Sequence, residues 1–297
     1  MDPLVSIITI NYNQLRYTLE LLNSLTQSAY RNIEIIVVDN ASTENPTSQI
    51  KEQFPNVQVI VSDKNLGFAG GNNLGIRAAK GKYLFFLNND TEIVPDSIRP
   101  LVDFCEQHAD AGIVCPKILF YNSGETIQYV GSSRINAFTG RNERPGFGEV
   151  DRGQFNAAEK TDLPHGAAMM VPRSVIDAAG LMPEIFFLYY EELDWAETIK
   201  KMGYNIYVVP DARIYHKESM SVGKNSTLKT YYMTRNRLLF MRRHTKGLSK
   251  LSSITFFLIF SIPKNTLSYL IKGEMKHVSA FWRGFLWNVT HPSGKTN

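Results

Sequence analysis

The sequence predicts an α/β fold, with a mostly parallel central sheet flanked by helices and a basic helical extension at the C-terminal end. Three observations carry this. Apolar runs alternate with helix-period segments in the order strand, helix, strand. The run Tyr83-Leu84-Phe85-Phe86-Leu87 suits a strand buried on both faces and stops abruptly at Asn88-Asn89-Asp90. Charge is also split along the chain. Residues 229–297 hold twelve Lys/Arg against one acid, Glu274, whereas residues 1–228 hold 20 Lys/Arg and 27 Asp/Glu.

In chain order, residues 4–10 read as a first buried strand, with Asn13 as the N-cap of a helix carrying Leu15, Leu19, Leu22 and Leu25 at near-helical spacing. Residues 33–38 form a second strand ending in Asp39-Asn40-Ala41-Ser42. A short helix over 47–53 leads to a third strand over 57–61. Asn65 to Asn73 opens a helix reaching Lys80. Its glycines, Gly67, Gly70, Gly71 and Gly75, look like a phosphate-binding cluster. A dinucleotide fold, however, puts that cluster after its first strand, where this chain has Asn11-Tyr12-Asn13. A turn allowing close approach to a ligand or a neighbouring strand is the better reading. After the strand ending at Asp90 come a helix over 97–109 and a strand over 112–120. The Gly-rich, polar stretch 121–160 reads as a long loop or hairpins. Order returns at 165–172, followed by a helix from Ser174 to Gly180. The aromatic run 185–190 enters Glu191-Glu192-Leu193-Asp194-Trp195, the start of another helix. Residues 206–209 and 213–215 suit two short strands, the second ending at His216.

The apolar share (43%) and charged share (20%) are those of a folded globular chain. The two cysteines, Cys105 and Cys115, fall in core segments, which favours a reduced, cytosolic setting over a disulfide framework. No basic region followed by an apolar one marks a secretory signal at the start. Residues 251–262 are apolar but stop at Pro263, short of the roughly 20 residues that span a bilayer. Val278, Phe281, Trp282, Phe285, Leu286 and Val289 share one helical face, with Lys272, Lys276 and Arg283 nearby. Such a basic amphipathic helix suits an anionic membrane surface rather than nucleic acid. The alternative is packing on its own catalytic domain or on a second copy in a homo-oligomer.

Two strands ending in Asp39 and Asp90 put two carboxylates on one sheet edge, where open α/β sheets bind ligands. Asp90 there suits a hard cation bridging to a diphosphate. Asp39 suits a nucleobase or ribose hydroxyl. Simple turn roles remain the alternative for both. Three carboxylates opening a helix are stabilised by the macrodipole, so capping competes with catalysis. Yet aromatics running into acids keep a carboxylate dry and basic. His216, alone in sequence, reads as structural.

These segments together resemble the inverting family-2 glycosyltransferases of the GT-A fold, especially bacterial rhamnosyltransferase-like members. The carriers are residues 5–13, 37–42, 65–75, 85–90, 166–172 and 187–194 with Gly203-Tyr204, within a match over about residues 4–245. The resemblance implies a catalytic domain over 1–245, its nucleotide-sugar half to about 120 and its acceptor half from 121, and a tail over 246–297. Asn88-Asn89-Asp90 stands at the family's D-x-D-type motif, so Asp90, with His216, would hold Mn or Mg on the donor diphosphate. Asn88 replaces the first Asp of that motif and leaves fewer charged ligands.

Thr9, Asn11, Tyr12 and Asn13 would line the base of a dTDP- or UDP-sugar, and Asp39 would bind its nucleoside. Asn40, Ser42, Asn65, Gly67, Gly71, Asn72, Asn88, Asn89 and Arg235 would complete the donor site. His165, Gly166 and Trp195 fall on the acceptor side. Glu191-Glu192 stands at the family's Glu-Asp pair, whose second member is the general base, and Glu191 and Asp194 remain alternatives to Glu192. The acceptor implied is a glycan or lipid-linked glycan of cell-surface polysaccharide synthesis. The protein would be cytoplasmic and peripheral at the cytoplasmic face of the membrane.

Helix geometry refines the choice of base. Successive side chains are about 100° apart, so Glu191 and Glu192 cannot aim at one hydroxyl. Glu191, Asp194 and Trp195 share a face, and Glu192 points elsewhere. A sugar-1-phosphate nucleotidyltransferase is a competing reading, but its Gly-rich basic loop after the first strand is missing here. A non-catalytic module acting through the basic tail would leave Asp90 and Glu192 dispensable.

Overall fold

The computed structural model describes residues 1–217 and 226–291. The elements run β1 (Val5–Asn11), α1 (Leu15–Thr26), β2 (Ile33–Asp39), α2 (Thr47–Gln53), β3 (Gln58–Val61), α3 (Gly67–Ala78), β4 (Tyr83–Leu87), β5 (Thr91–Ile93), α4 (Arg99–Gln107), β6 (Ala111–Phe120), β7 (Ile127–Tyr129) and β8 (Glu159–Thr161). They continue with β9 (Ala168–Pro172), α5 (Arg173–Ala179), α6 (Glu191–Lys201), β10 (Asn205–His216), α7 (Thr227–His244), α8 (Gly247–Phe256), a π-helical turn (Phe257–Ser261), α9 (Ile262–Ile271) and α10 (Met275–Thr290).

One sheet holds the chain together, in the order β3-β2-β1-β4-β9-β6-β10-β5. Strands β1 to β4 are mutually parallel, and β10 is parallel to β6. Between the two groups β9 pairs antiparallel with both β4 and β6, so β1–β4, β6 and β10 all point the same way. Their carboxyl ends therefore share an edge, and β9 begins at that edge. The buried strands read as unbroken apolar runs because helices cover both faces. Val5, Ile7, Ile8, Leu84, Phe85 and Phe86 are all sealed from solvent. α3 lies tight on β1: a Cβ on Gly75 would come 2.4 Å from Ile8 Cγ2, and one on Gly71 would come 2.9 Å from Ile10 Cδ1. Stretch 121–160 is mostly turns, tied to the sheet by a buried pair in which Lys117 Nζ reaches Asp151 Oδ2 at 2.7 Å.

Three expectations change. The two short strands over 206–215 are one strand, β10, with a register shift between Val209 and Arg213 where Pro210 interrupts the ladder. α1 starts at Leu15 without a side-chain cap. Asn13 instead sits at φ 54° and accepts from the Thr43 N–H. The apolar stretch 251–262 does not stop at Pro263. The π-helical turn precedes it, and Pro263 falls in the first turn of α9, where its missing N–H costs no helix bond. Gly247–Ile271 is thus one helix of 25 residues, long and apolar enough to cross a membrane.

The amphipathic stripe of α10 also differs from expectation. Its inner face packs on α7 rather than lying wholly on a surface. Ala280, Phe281 and Gly284 are buried, whereas Leu286 and Val289 stay exposed. An apolar stripe suits a neighbouring helix as well as a lipid surface. Phe281 and Phe285 stack on Phe257 at ring distances of 6.0 Å, locking the π-helical turn to α10. Gly284 sets the approach, because a Cβ there would meet the Tyr231 carbonyl oxygen at 2.6 Å. Gly284→Ala is expected to push α10 off α7 and to cost about 1–3 kcal/mol. Thermal unfolding beside the parent checks this, and an unchanged melting temperature would contradict the packing.

Candidate active site

The carboxyl edge of the sheet gathers most of the polar residues that the sequence singled out. Asp39 closes β2, Asn11 closes β1, Asn89 and Asp90 follow β4, and His216 closes β10. Asp39 is buried with both oxygens engaged. Oδ1 accepts from Asn11 Nδ2 (2.8 Å) and Ser42 Oγ (2.6 Å), and Oδ2 accepts from the Ser42 N–H (3.1 Å). Asn11 Oδ1 in turn accepts from Thr18 Oγ1, and Asn89 Nδ2 donates to that hydroxyl. One network therefore runs from Asp39 to Asn89 across three strand ends. Asn40 and Asn65 bracket the start of α3: Asn40 Nδ2 donates to Asn65 Oδ1 and to the Gly67 carbonyl. Tyr12 remains exposed at this rim, a ring surface open to a ligand.

Beside the network, Asp90 and His216 meet. Pairing of β5 with β10 sets Thr91 opposite His216 and brings His216 Nε2 to 3.1 Å from Asp90 Oδ1. His216 Nδ1 lies 2.8 Å from Gln128 Oε1, which orients the ring and leaves Nε2 for the carboxylate or a ligand. Among the described residues no group of three or more His, Cys, Asp or Glu side chains could hold a metal ion. One carboxylate and one imidazole do fit a hard divalent ion that brings its remaining oxygens from a diphosphate and water. They do not form a closed structural cage.

The carboxylate cluster lies across the same mouth. His165, just before β9, faces His216 with ring centroids 6.0 Å apart. Burial pushes the His165 imidazole down to about 3, so it stays neutral. Its Nδ1 accepts from the Ala167 N–H. Next to it, Gly166 backs onto Glu192: a Cβ there would sit 3.4 Å from Glu192 Cδ. Asp90, His216, His165, Gly166 and Glu192 thus form one continuous chain of neighbours.

The three carboxylates of α6 differ sharply. Asp194 is buried and held bidentate by Arg243, with Nε to Oδ1 at 2.7 Å and Nη2 to Oδ2 at 3.0 Å. His244 Nε2 adds a contact of 2.6 Å. Burial pushes its carboxyl up, but His244 and Arg243 together hold it below the usual range. Asp194 is thus a strut between α6 and the end of α7, and it is no longer a candidate base. Glu191 is buried with Oε2 lacking a partner among the described residues. Burial, then the neighbouring Glu192, raises it well above the ordinary carboxyl value. Glu192 is half-buried at the mouth, and burial pushes it up to about 7 against opposing backbone N–H groups at the start of α6.

Several expected site residues prove to be scaffold. Thr9 is sealed inside β1 and cannot line a base, because this strand is covered on both faces. Gly71 faces Ile10, and Asn72 Nδ2 donates to the Phe68 carbonyl of its own helix. Trp195 is core: its indole N–H donates to the Gly180 carbonyl and its ring meets Phe86 edge-on. Arg235 is buried, donates to the Ile185 carbonyl and lies over the Trp287 ring at 4.1 Å. It backs the loop before α6 rather than facing a phosphate.

Sequence reasoning missed Asn236 and Gln128. Asn236 Nδ2 donates to the carbonyls of Phe186, Leu188 and Tyr189 at 2.8, 2.8 and 2.9 Å. Nothing in the local sequence marks the carbonyls it gathers, 47 to 50 residues away, and Gln128 lies in a stretch without periodicity.

An α/β sheet with carboxylate, imidazole and amide groups gathered at its carboxyl edge is the arrangement expected of a nucleotide-sugar transferase, and comparison with known proteins establishes the class. The model of glycosyl transferase family 2 matches residues 6–178. The chain belongs to this family and is a glycosyltransferase. It is 28% identical over 278 residues to the low-salt glycan biosynthesis hexosyltransferase Agl10 of Haloferax volcanii, covering 91% of this chain and 83% of that one. It is 25% identical over 291 residues to the dTDP-rhamnosyl transferase RfbF of Shigella flexneri, covering 92% and 93%. It is 23% identical over 249 residues to the N-acetylglucosaminyl-diphospho-decaprenol L-rhamnosyltransferase of Mycobacterium tuberculosis, covering 76% and 80%. Among solved structures, the mannosyltransferase PcManGT of Pyrobaculum calidifontis, in complex with GDP-Man and Mn2+, superposes with a TM-score of 0.59 at 16% identity, covering 100% and 77%. The fold is GT-A.

The strut and the mouth carboxylate should separate in stability measurements. Asp194→Asn weakens charge-assisted hydrogen bonds between a buried carboxylate and a part-exposed Arg243, and is expected to cost about 1–3 kcal/mol. Glu192→Gln should act oppositely. A carboxyl raised from 4.5 to about 7 by burial stabilises the fold below about 4.5 and withdraws that contribution as pH rises through 7. Melting temperatures from pH 5 to 8.5 should therefore show Glu192→Gln gaining on the parent as pH rises. A gap that stays flat with pH would place Glu192 in open solvent.

Proposed function

We propose that this glycosyltransferase inverts the anomeric centre as it moves a sugar, rhamnose by preference, from a nucleoside diphosphate to a lipid-linked glycan acceptor. The observation that carries the reading is Glu192. It is half-buried and raised to about 7, and Gly166 and His165 link it to the Asp90–His216 pair. Rhamnose and a lipid-linked acceptor are supported by relatives named for those activities. The nucleoside would lie against Tyr12, Asn13 and the Asp39 network. Asp90 and His216 would hold a divalent cation, Mn or Mg, whose charge offsets that of the departing diphosphate.

Glu192 takes the proton of the acceptor hydroxyl. The oxygen attacks the anomeric carbon from the face opposite the diphosphate, and the bond to the diphosphate breaks. Glu191, unable to ionise easily beside it, keeps a second negative charge out of the site.

Kinetics test this directly. In the parent, kcat/KM should rise as pH passes about 7, because the base acts only when deprotonated. Glu192→Gln is expected to lower kcat by about 10²–10⁴-fold with donor affinity nearly unchanged. Near-parental rates in Glu192→Gln would reassign the base. Asp90→Ala should abolish transfer and remove the response to added Mn or Mg. Full activity of that variant in the presence of chelator would remove the cation from the scheme.

Residues 247–271 would hold the enzyme on the cytoplasmic face of an anionic membrane. Leu251, Ile259 and Phe260 are well exposed on this helix, and the surrounding tail is rich in cations. Changing all three to Ser should release the protein from phosphatidylglycerol vesicles, and salt should weaken binding of the parent. Vesicle affinity that survives the triple change would assign membrane contact elsewhere.

A further inference from the structure

A cavity of about 380 Å³ lies outside the edge described above, between α7, α8, the π-helical turn, α10 and the turn at Thr139-Gly140. Ile254, Phe257 and Phe285 give it apolar walls, and Arg237, Arg242 and Lys250 stand around it. No carboxylate lines it among the described residues. Arg237 donates to the Thr139 carbonyl and forms no ion pair among the described residues. It lies 5.8 Å from the centre of the Phe257 ring. Arg242 Nη1 donates to Asn288 and Nη2 to the His291 carbonyl, so its head is fixed beside the end of α10. Arg237 and Lys250 beside apolar walls, with no carboxylate in the lining among the described residues, match a ligand with a phosphate at one end and hydrocarbon at the other.

Two further features fix the orientation of such a ligand. The apolar wall continues outward over Leu251, Leu258 and Ile259, which are 62%, 45% and 58% exposed on the 25-residue helix. A hydrocarbon chain can therefore leave the cavity along a surface that is itself apolar. Inward, Tyr190 stands at the start of α6, two residues before Glu192. It also packs on Phe240 of α7 with ring centroids 5.7 Å apart. The helix that lines the cavity is thus also in contact with the segment that carries Glu192.

We propose that this cavity binds the polyisoprenyl-phosphate portion of the acceptor, with Arg237 and Lys250 on its phosphate and Ile254, Phe257 and Phe285 along its first isoprenyl units. This deepens the acceptor reading above and rests on it. The sugar attached to the phosphate then projects toward Glu192. A chain lacking either end of the amphiphile gains only half of the contacts.

The test uses the full chain in detergent, with geranylgeranyl diphosphate as probe and calorimetry as readout. Lys250→Glu is expected to weaken binding roughly ten- to hundredfold, the usual worth of a charge-assisted hydrogen bond. Ile254→Glu should do likewise by charging the wall. Lys264→Glu, an exposed change on α9 outside the cavity, should leave affinity unchanged. Melting temperatures verify that each variant is folded. Inorganic diphosphate should bind at least tenfold more weakly than the probe.

Equal affinity of parent and Lys250→Glu for the probe would overturn the proposal. So would loss of phosphatidylglycerol vesicle binding alone, which would make the cavity a bulk-lipid contact. If the parent binds the probe but transfers sugar to no lipid-linked acceptor, the acceptor reading falls and the cavity stands. If it glycosylates a soluble acceptor and ignores the probe, the cavity assignment falls and the transferase reading stands.

Discussion

The catalytic end of this protein depends on one amide. Phe187, Tyr189 and Tyr190 all adopt positive φ, of 65°, 69° and 76°, immediately before Glu191. Left-handed backbone at bulky aromatic residues costs on the order of 1–3 kcal/mol each and persists only where surrounding contacts impose it. Asn236 imposes it by gathering the carbonyls of Phe186, Leu188 and Tyr189 on one nitrogen. Arg235 holds the Ile185 carbonyl, and the Phe187 carbonyl accepts from the Phe68 N–H at the start of α3. Without these bonds the loop relaxes and α6 loses its fixed starting direction. The aim of Glu192 is therefore set by a side chain some 45 residues later in the sequence.

The donor edge follows a different logic. There the polar side chains satisfy one another: Asp39, Ser42, Asn11, Thr18 and Asn89 form a chain of bonds among buried groups. Buried polar networks are worth keeping only when nearly every member is paired, and this one is. Its role is to fix the ends of β1, β2 and β4 relative to each other. Tyr12 and Asn13 stand exposed beside this network, and Asp90 and His216 pair next to it. A residue matching a family motif is therefore as often the frame of the site as its working surface.

How far the sequence reveals this follows from physical range. Strands buried on both faces read as continuous apolar runs, so β1, β2, β4 and β6 were legible, and the acids at the ends of two of them, Asp39 closing β2 and Asp90 after β4, marked the edge. Helix periodicity separated Glu192 from Glu191, Asp194 and Trp195, and the structure buries the latter three. The same both-face burial hid the fate of Thr9, because no alternation shows which side chains are sealed. Partners far along the chain were invisible: Arg243 and His244 reach Asp194 from 49 and 50 residues away. The antiparallel insertion of β9 was equally hidden, since strand direction leaves no mark in composition. Pro263 misled because proline reads as a stop, while a first-turn position tolerates it.

Helix α7 joins these parts through its own geometry. Asn236 and Arg243 are seven residues apart, close to two full turns, so both project on one face. That face clamps the strained loop and the Asp194 strut. Arg237, Leu238, Met241 and Arg242 lie about a quarter turn or more round the helix and line the cavity shared with α8 and α10. One helix thus contacts both the loop that leads into Glu192 and the apolar, cationic chamber. A shift of α10 against α7 would be felt at Glu192 through Asn236, and a ligand seated in the chamber would steady the same helix that fixes the base. The basic, apolar C-terminal region is in this sense packed onto the same helix that braces the loop before α6.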